Sequence, residues 1–320
     1  MTKKDLKSRI YDDPLWKKAL KKPSYARKKI TRKFQHVFQD QRRFLTQKPE
    51  QWGIVNQAEV RMVGLRRSGN HALISWMKNQ QDGKFKHIND VPLEENPYRH
   101  EYEYFLDHYP QYPKEIERLR QFSNGNFKKK DWLLYNYEDH RLDKISSPAF
   151  ARKRDWYVGP SARRIDLIIM RDPFNLLASR IKKGFTSVKS SQVSFTDLWI
   201  AYAREYLNET NFLTETKVCI SYNRWIQDVE YRRLLAEQLG LPFTDDGFTK
   251  VARRAGGSSF DGTTHDGDAA KMDLTGRWRH YLNDELYQTL LKNKTLISYT
   301  ERIFGDVSGL TEVQSALGQL

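Results

Sequence analysis

The sequence has a single cysteine and no long apolar run, and both absences narrow what the protein can be. Because Cys219 is the only cysteine, the chain can form neither an intrachain disulfide nor a cysteine-cluster metal site. The surrounding residues, KVCISY, predict that Cys219 lies buried in a strand. No segment approaches the roughly 20 apolar residues of a membrane span, and the first residues, MTKKDLKSRIYDDP, lack the apolar stretch of a signal peptide. We therefore expect a cytoplasmic protein. With 320 residues, 38% of them hydrophobic, the chain suits one large α/β domain with extensions, or two small domains.

The net charge of +15 is concentrated near the start of the chain, where residues 1–50 hold sixteen Lys and Arg against five Asp and Glu. Such a segment can bind nucleic acid, an anionic membrane surface or an acidic polymer, or it can be a solvated arm. The apolar residues between Ile30 and Phe44 recur at roughly helical spacing. We predict a basic, partly helical N-terminal extension with one face packed on the main domain.

A Gly-bounded basic turn joins a strand-like to a helix-like pattern in residues 60–78, which read VRMVGLRRSGNHALISWMK. Gly64 and Gly69 have the spacing of a Walker A loop, in which backbone N–H groups and a helix N-terminus bind phosphate. Asn70 replaces the Walker lysine, and His71 replaces the hydroxyl that binds Mg²⁺. The loop therefore predicts a site for a phosphate-like anion rather than Mg-ATP, although plain chain geometry produces the same turn.

A second basic motif, RDPFNLLASRIKKG, follows the most clearly buried strand of the chain, residues 165–170. Arg171 stands at the predicted strand end, Pro173 in the first turn of a helix, and Ser179 eight residues after the arginine. If an irregular turn leads into the helix, the guanidinium and the hydroxyl can converge on one phosphate. A structural pair with Asp172 would explain the arginine but would not account for the serine.

Strand and helix patterns alternate along the chain. We predict strands ending at Gly64 and over 84–91, 131–137, 165–170 and 217–222, and helices over 70–80, 114–122, 195–207, 225–239 and 284–292. Residues 141–164 and 256–267 read as loops. The pattern predicts an α/β fold over 51–305: a single doubly wound, mainly parallel sheet of the P-loop nucleotide-binding type, flanked by helices, with a C-terminal tail over 306–320.

Titratable residues follow two of the predicted strands. Asp90 comes at the tip of the strand over 84–91, and Glu138, Asp139 and His140 follow the strand over 131–137. Open α/β sheets bind ligands at the carboxyl ends of their strands, so these residues are candidates for acid-base chemistry, although they also suit a charged turn.

A Tyr-rich insert occupies residues 92–130. Its side chains can stack on sugars or cap an acceptor pocket, or they can pack the insert against its own domain. The insert is therefore a candidate acceptor-binding segment.

Four separated motifs, RRSGNH, the Arg171–Ser179 pair, CISYNRW and KMDLTGRW, resemble in this order the sulfotransferases that use 3′-phosphoadenosine 5′-phosphosulfate (PAPS). The resemblance spans residues 61–278. It implies that Arg67 stabilises the leaving phosphate, that Arg171 and Ser179 bind the 3′-phosphate, and that Tyr222 lies near the nucleotide. The residues implied in PAPS binding are Arg66, Arg67, Ser68, Gly69, Asn70, His71, Arg171, Ser179, Tyr222, Lys271 and Arg277.

The sequence also departs from the family pattern. Asn70 and His71 replace the usual Thr-Thr, Met272 and Asp273 stand where many members have Lys-Gly, and no Trp directly follows the loop. Members use either a His on the strand before the Arg-Ser strand or a Glu soon after the first loop as general base. By position, the first case suggests His140 or Glu138, and the second suggests Asp90 or His87.

The resemblance implies a PAPS-dependent sulfotransferase that transfers a sulfuryl group without a bound metal, leaving 3′-phosphoadenosine 5′-phosphate (PAP). It implies an acceptor hydroxyl, such as that of a saccharide, a glycolipid or a secondary metabolite. Two alternatives stay open: a P-loop kinase or other phosphotransferase, and a non-catalytic polyanion-binding protein that uses its basic N-terminal arm.

Overall fold

A computed structural model of the chain describes residues 23–189, 192–249 and 274–305, together with positions 307, 309, 311, 312 and 315. The chain divides into two compact units, Met1–Trp52 and Gly53–Leu320. The first contains a helix, α1, over Pro23–Thr46, and a short 3₁₀ helix over Pro49–Gln51. The predicted helical spacing is therefore confirmed, whereas packing of α1 on the main domain stays a prediction. Among the described residues, no helix is long and apolar enough to cross a membrane.

The second unit is built, in its described part, on a five-stranded parallel sheet with the order β2-β3-β1-β4-β5. Its strands are β1 (Asn56–Gly64), β2 (Phe85–Ile88), β3 (Lys130–Glu138), β4 (Ser161–Met170) and β5 (Thr216–Ser221). At the carboxyl end of the central strand, Gly64 pairs with Glu138 on one side and with Ile169 on the other. The predicted α/β class and parallel sheet are confirmed, and β1, β3 and β4 end at one common edge.

Helices connect the strands and flank the sheet. They are α2 (Asn70–Asn79), α3 (Pro97–His108), α4 (Pro113–Ser123), α5 (Leu142–Ile145), α6 (Pro148–Val158), α7 (Pro173–Lys182), α8 (Phe195–Tyr206), α9 (Tyr222–Gln227), α10 (Val229–Leu239), α11 (Glu285–Leu291) and α12 (Lys294–Phe304). A 3₁₀ helix over Arg277–Tyr281 precedes α11.

The two faces of the sheet are buried by different means. On one face, Val60 and Met62 of β1 pack in an apolar core with Trp76 of α2 and Trp225 of α9, whose ring centroids lie 6.1 Å apart. On the other face, β1 presents Glu59, which is fully buried and accepts from Arg154 Nε of α6 at 2.6 Å. Because successive strand residues point to opposite faces, one strand supplies both an apolar and a charged core.

The segment 141–164, predicted as a loop, instead forms α5, α6 and the first residues of β4, so that prediction is wrong. Ser147 caps α6 by accepting from the Ala149 N–H at 3.2 Å, and Pro148 occupies the first turn. The basic composition that suggested a loop includes Arg154, whose charge is buried against Glu59 rather than exposed. The Tyr-rich insert likewise forms two helices, α3 and α4, where one was predicted.

The C-terminal half differs from prediction at three points. The helix expected over 225–239 is broken at Asp228, whose side chain caps α10 by accepting from Tyr231 N–H at 3.0 Å. A second helix, α12, follows the one predicted over 284–292. Cys219 lies in β5 but is only partly buried. The loop predicted over 256–267 lies outside the described residues.

Candidate functional site

The loop between β1 and α2 turns sharply at the carboxyl edge of the sheet. Gly69 has φ +96°, and a Cβ atom at this position would lie 2.1 Å from Cε2 of Tyr222. Glycine is thus required both by the left-handed backbone and by the close approach of the Tyr222 ring. Arg67 also has a positive φ, +76°. These conformations let the chain pass directly from the strand into the N-terminus of α2, a favourable position for an anion.

A buried ion pair holds this loop from behind. Asp139 accepts from the Arg66 N–H through Oδ1 at 2.9 Å, while Arg180 Nη1 of α7 donates to the Arg66 carbonyl at 3.2 Å. Arg180 and Asp139 are themselves joined at 2.9 Å, and both side chains are 1% exposed. Both backbone polar groups of Arg66 are therefore fixed by one charged pair.

Arg171 connects the loop to a second cationic group. Its Nη1 donates to the Arg67 carbonyl at 3.1 Å and to Ser179 Oγ at 3.3 Å, and its Nη2 donates to the Leu274 carbonyl at 2.8 Å. Arg277 Nη1 also donates to Ser179 Oγ, at 3.2 Å. The structure thus brings Arg171, Ser179 and Arg277 together, and all three are at most 3% exposed. Two guanidiniums around one hydroxyl form an arrangement suited to phosphate.

Asp172 does not pair with Arg171, so the structural explanation weighed for that arginine does not apply. Its carboxylate caps α7, accepting from the Asn175 N–H at 2.8 Å, and also accepts from Asn223 Nδ2 at 2.9 Å. The Arg171 guanidinium instead lies 5.3 Å from the centroid of the Tyr222 ring. The arginine is consequently turned toward the loop and the serine.

The electrostatics of the loop favour an anion. Burial and repulsion from Arg171 lower the pKa of the Arg67 guanidinium, which means that its positive charge is destabilised where it stands. Ser68, 0% exposed, has a hydroxyl with no hydrogen-bond partner among the described residues. A bound anion would relieve the repulsion and accept from this hydroxyl.

Glu138, the last residue of β3, has the character of an acid-base group. Its Oε1 accepts from Asn70 Nδ2 at 2.8 Å and from Asn136 Nδ2 at 3.3 Å, and its Oε2 lies 3.9 Å from Arg66 Nε. Burial, and then the nearby charge of Asp90, raise the pKa of the Glu138 carboxyl. The Glu138 carboxylate therefore binds a proton more readily than the carboxylate of a solvated glutamate does.

Asp90 and His140 lie in the same cluster but are poorer proton acceptors. Asp90 is paired with Lys189 and, at 3.3 Å, with Arg66 Nη2. Burial would raise the pKa of Asp90, but Lys189 and Arg66 outweigh it and lower the pKa. Burial and Lys189, whose Nζ lies 3.3 Å from His140 Nε2, lower the pKa of His140 to about 4.

The remaining predicted residues have varied positions. His71 and His87 stand edge to face with centroids 6.0 Å apart, and His87 Nε2 lies 2.8 Å from Asn136 Oδ1. Tyr222 begins α9 directly after β5 and stacks on Trp225 with centroids 5.7 Å apart. Lys271 lies outside the described residues.

Sequence reasoning did not select Arg180 or Lys189 as site residues, and it considered Asp139 as an acid-base group rather than as the partner of a buried arginine. Arg180 had a usable signal, because it directly follows Ser179 in an otherwise apolar stretch of α7, LLASRI. A basic residue inside a buried helix needs a buried partner, and Asp139 at the end of β3 is that partner. Lys189 carried no comparable signal, since it stands in a polar connection between α7 and α8.

No protein-family model and no curated protein matches the chain. Structural similarity is found with mouse sulfotransferase SULT7A1 complexed with PAP: 13% identity, 80% of this chain, 89% of that chain, TM-score 0.44. It is also found with the sulfotransferase domain of the Synechococcus PCC 7002 olefin synthase, at 14% identity over 81% of this chain and 98% of that chain, with a TM-score of 0.46. A third similar structure is retinol dehydratase in complex with androsterone and inactive cofactor PAP, at 13% identity over 77% of this chain and 81% of that chain, with a TM-score of 0.39. Similarities of this size do not show that the chain belongs to their family, and the fold rests on the sheet itself.

Proposed function

We propose that the protein is a sulfotransferase that moves a sulfuryl group from PAPS to an acceptor hydroxyl. The observation that carries this proposal is the position of Arg171, which contacts both the Arg67 carbonyl in the loop and the hydroxyl of Ser179. Two adjacent cationic subsites on one sheet edge match a nucleotide that has anionic groups on both its 5′ and 3′ positions.

The residues of each subsite fit one end of such a nucleotide. The N–H groups at the start of α2, the free hydroxyl of Ser68 and the Arg67 guanidinium would hold the phosphosulfate. Arg171, Ser179 and Arg277 would hold the 3′-phosphate. Tyr222 would line the nucleotide, and Lys271 remains a candidate ligand on the basis of the sequence alone.

PAPS supplies the activated sulfuryl group, and the acceptor oxygen forms a new S–O bond as the S–O bond to the phosphate breaks. Arg67 would neutralise the charge that develops on the departing phosphate. Loss of such an electrostatic contact costs on the order of 100-fold or more in rate. In a Walker loop, a lysine binds the phosphates and a hydroxyl binds Mg²⁺. Because Asn70 and His71 replace these two residues, the proposed transfer does not use a metal.

The proposal assigns the general base to Glu138 in preference to His140 and Asp90. Glu138 has a raised pKa, so its carboxylate can take the acceptor proton near neutral pH. The lowered pKa values of His140 and Asp90 make both groups weaker bases. Asn70, which donates to Glu138 at 2.8 Å, would keep the carboxylate oriented.

The acceptor is proposed only as a hydroxyl compound, with saccharides, glycolipids and secondary metabolites as candidates. The hairpin of α3 and α4 presents partly exposed aromatic side chains, Tyr104, Tyr109 and Tyr112, that are suited to stacking on a sugar. It stays a prediction that this insert contacts the acceptor. The cytoplasmic location also stays a prediction.

Calorimetric titration with PAP in the presence of EDTA tests the proposal. We expect metal-independent binding that weakens at least tenfold in Arg171→Ala, since a hydrogen bond to a charged group contributes about 1.5–3 kcal/mol. Arg224→Ala is the matched control, because Arg224 is an exposed arginine paired with Asp228. Mg²⁺-dependent binding of ATP without binding of PAP would instead support a phosphotransferase.

A further inference from the structure

The helix α1 carries an apolar stripe along one face. Its residues recur at intervals of three, four and seven, which places them within an arc of roughly 100° around the helix axis. The apolar stripe consists of Ile30, Phe34, Val37, Phe38 and Leu45. Phe34, Phe38 and Leu45 are 73%, 69% and 87% exposed. A row of exposed phenylalanine and leucine side chains marks a surface that binds something apolar.

The same helix is strongly basic. It contains seven Lys and Arg residues against one acidic residue, Asp40. Lys33 and Arg42 border the apolar stripe, lying about 100° and about 80° from Phe34 on opposite sides of the helix axis. An apolar stripe bordered by basic residues combines burial in hydrocarbon with attraction to negative charge.

We propose that α1 binds the surface of an anionic lipid bilayer with the face that the sequence predicted to pack on the main domain. The apolar stripe would lie at the boundary of headgroups and acyl chains, and the exposed basic residues Lys33 and Arg42 would lie among the headgroups. From Ile30 to Leu45 the stripe extends about 22 Å along the axis, long enough to lie in the membrane plane. Since α1 does not qualify as a membrane-spanning helix, the contact is peripheral.

The charge and the apolar surface of α1 favour an anionic bilayer over a second copy of α1 and over a nucleic acid. A second copy of α1 packed against the stripe would bring two helices of the same strong positive charge together, which is unfavourable. A nucleic acid would satisfy the basic residues but would leave Phe34 and Phe38 in water. An anionic bilayer satisfies the charged and apolar parts at once.

Membrane binding by α1 does not depend on the proposed sulfotransferase activity, because α1 contains no residue assigned to the nucleotide site. Membrane attachment and PAP binding are therefore expected to be separable. Changes in α1 should leave the dissociation constant for PAP unaltered.

Flotation of the full chain with vesicles tests the proposal. We expect binding to vesicles of phosphatidylcholine and phosphatidylserine in a 7:3 ratio, and at least tenfold weaker binding to pure phosphatidylcholine. Binding to the anionic vesicles should weaken about fivefold for each of Lys33→Gln and Arg42→Gln, because a basic residue at such a surface contributes about 1 kcal/mol.

The double variant Phe34→Ser, Phe38→Ser examines the apolar stripe, and we expect it to lose at least tenfold in vesicle affinity. Gln35→Ser, Gln39→Ser is the matched control, since it introduces the same residues at exposed positions of α1 outside the stripe. The control should bind as the wild type does. Circular dichroism of all variants checks that helix content is retained.

Three results would overturn the proposal. The first is no binding of the wild-type chain to anionic vesicles. The second is vesicle or RNA binding that falls with Lys33→Gln and Arg42→Gln but is unchanged in the phenylalanine double variant, which would assign the helix to a polyanion. The third is a wild-type dimer that the phenylalanine double variant converts to a monomer, which would assign the stripe to a second copy.

Discussion

Asp139 and Arg180 form a buried ion pair that also takes both backbone hydrogen bonds of Arg66. Arg180 donates in addition to the carbonyls of Phe185 and Ser187, at 3.0 and 2.9 Å. Two successive loop carbonyls are thereby held by arginines, since Arg180 binds that of Arg66 and Arg171 binds that of Arg67. The pair is thus placed to position the anion-binding loop rather than to contact a ligand.

We expect Asp139→Asn to lower the free energy of unfolding by about 3–5 kcal/mol, because it leaves the buried charge of Arg180 without its partner. Asparagine tolerates the positive φ of +60° at this position, so backbone strain should not contribute. The double variant Asp139→Asn, Arg180→Met should regain part of that stability, because it removes the unpaired charge but leaves the carbonyls of Phe185 and Ser187 without this donor. Urea denaturation measures both quantities.

The same double variant separates positioning from stability. If the pair positions the loop, the recovered protein should still bind PAP at least tenfold more weakly than the wild type. Wild-type affinity for PAP in a double variant of restored stability would contradict this role.

Glu138→Gln should reduce kcat by about 10²–10⁴-fold with little change in PAP affinity, as expected for loss of a general base. In the wild type, kcat should rise with pH through the raised pKa of Glu138, because the carboxylate is the active form. Asp90→Asn removes a charge that raises this pKa, so the rise of kcat with pH should occur at lower pH in this variant.

Difference infrared spectra of wild type against Glu138→Gln follow the same titration without an acceptor. A Glu138 carboxyl that titrates in the ordinary range, or one whose titration Asp90→Asn leaves unchanged, would exclude this assignment of the base.

Gly69→Ala should weaken PAP binding at least tenfold, because a Cβ atom would strain the left-handed backbone and collide with the Tyr222 ring. Gly184→Ala is the matched control: Gly184 also has a positive φ, +73°, but a Cβ there would meet no atom within 4 Å. The control should lose stability by about 1–2 kcal/mol and leave PAP affinity unchanged. Equal loss of affinity in both variants would show that packing against Tyr222 is unimportant.

The stability of the protein should fall as the pH is lowered from 6.5 toward 4. The folded state lowers the pKa of His140 from 6.5 to about 4, so within this range the unfolded chain binds a proton that the folded protein does not. His140 therefore stabilises the fold above its unfolded pKa, and this contribution is lost at up to about 1.4 kcal/mol per pH unit.

His140→Gln should flatten this dependence. The free energy of unfolding, measured in urea at pH 7, 6 and 5, provides the comparison, and the difference between wild type and variant isolates the histidine from other titrating groups. An undiminished slope in the variant would mean that His140 is not the group responsible.

The sheet could be predicted from the sequence because its strands are short apolar runs between charged or glycine-containing segments, as in IDLIIM. The Arg171–Ser179 contact could be anticipated because the arginine stands at the strand end just before the helix, and the serine lies nearly two turns into that helix. Both predictions depend on local periodicity, which a single sequence displays directly.

The remainder depended on partners distant in the chain. Arg154 looks like a surface residue in the sequence, and the apolar neighbours of Arg180 indicate burial without identifying its partner, yet Glu59 and Asp139 neutralise the two arginines inside the protein. The helix α6 was missed for this reason, and the choice among Glu138, His140 and Asp90 could not be made, because their pKa values depend on Lys189 and Arg66. Composition records that a charge is present but not where its counter-charge lies.

The helix α7 has a consequence for which changes of length the chain can accept. Ser179 faces Arg171 and Arg277, whereas the next residue, Arg180, faces Asp139, so two neighbouring positions serve separate parts of the site. One residue inserted between Pro173 and Ala178 would rotate both by about 100° and detach them together. Insertions after Gly184 would leave both in register, so length variation among homologous chains should concentrate there.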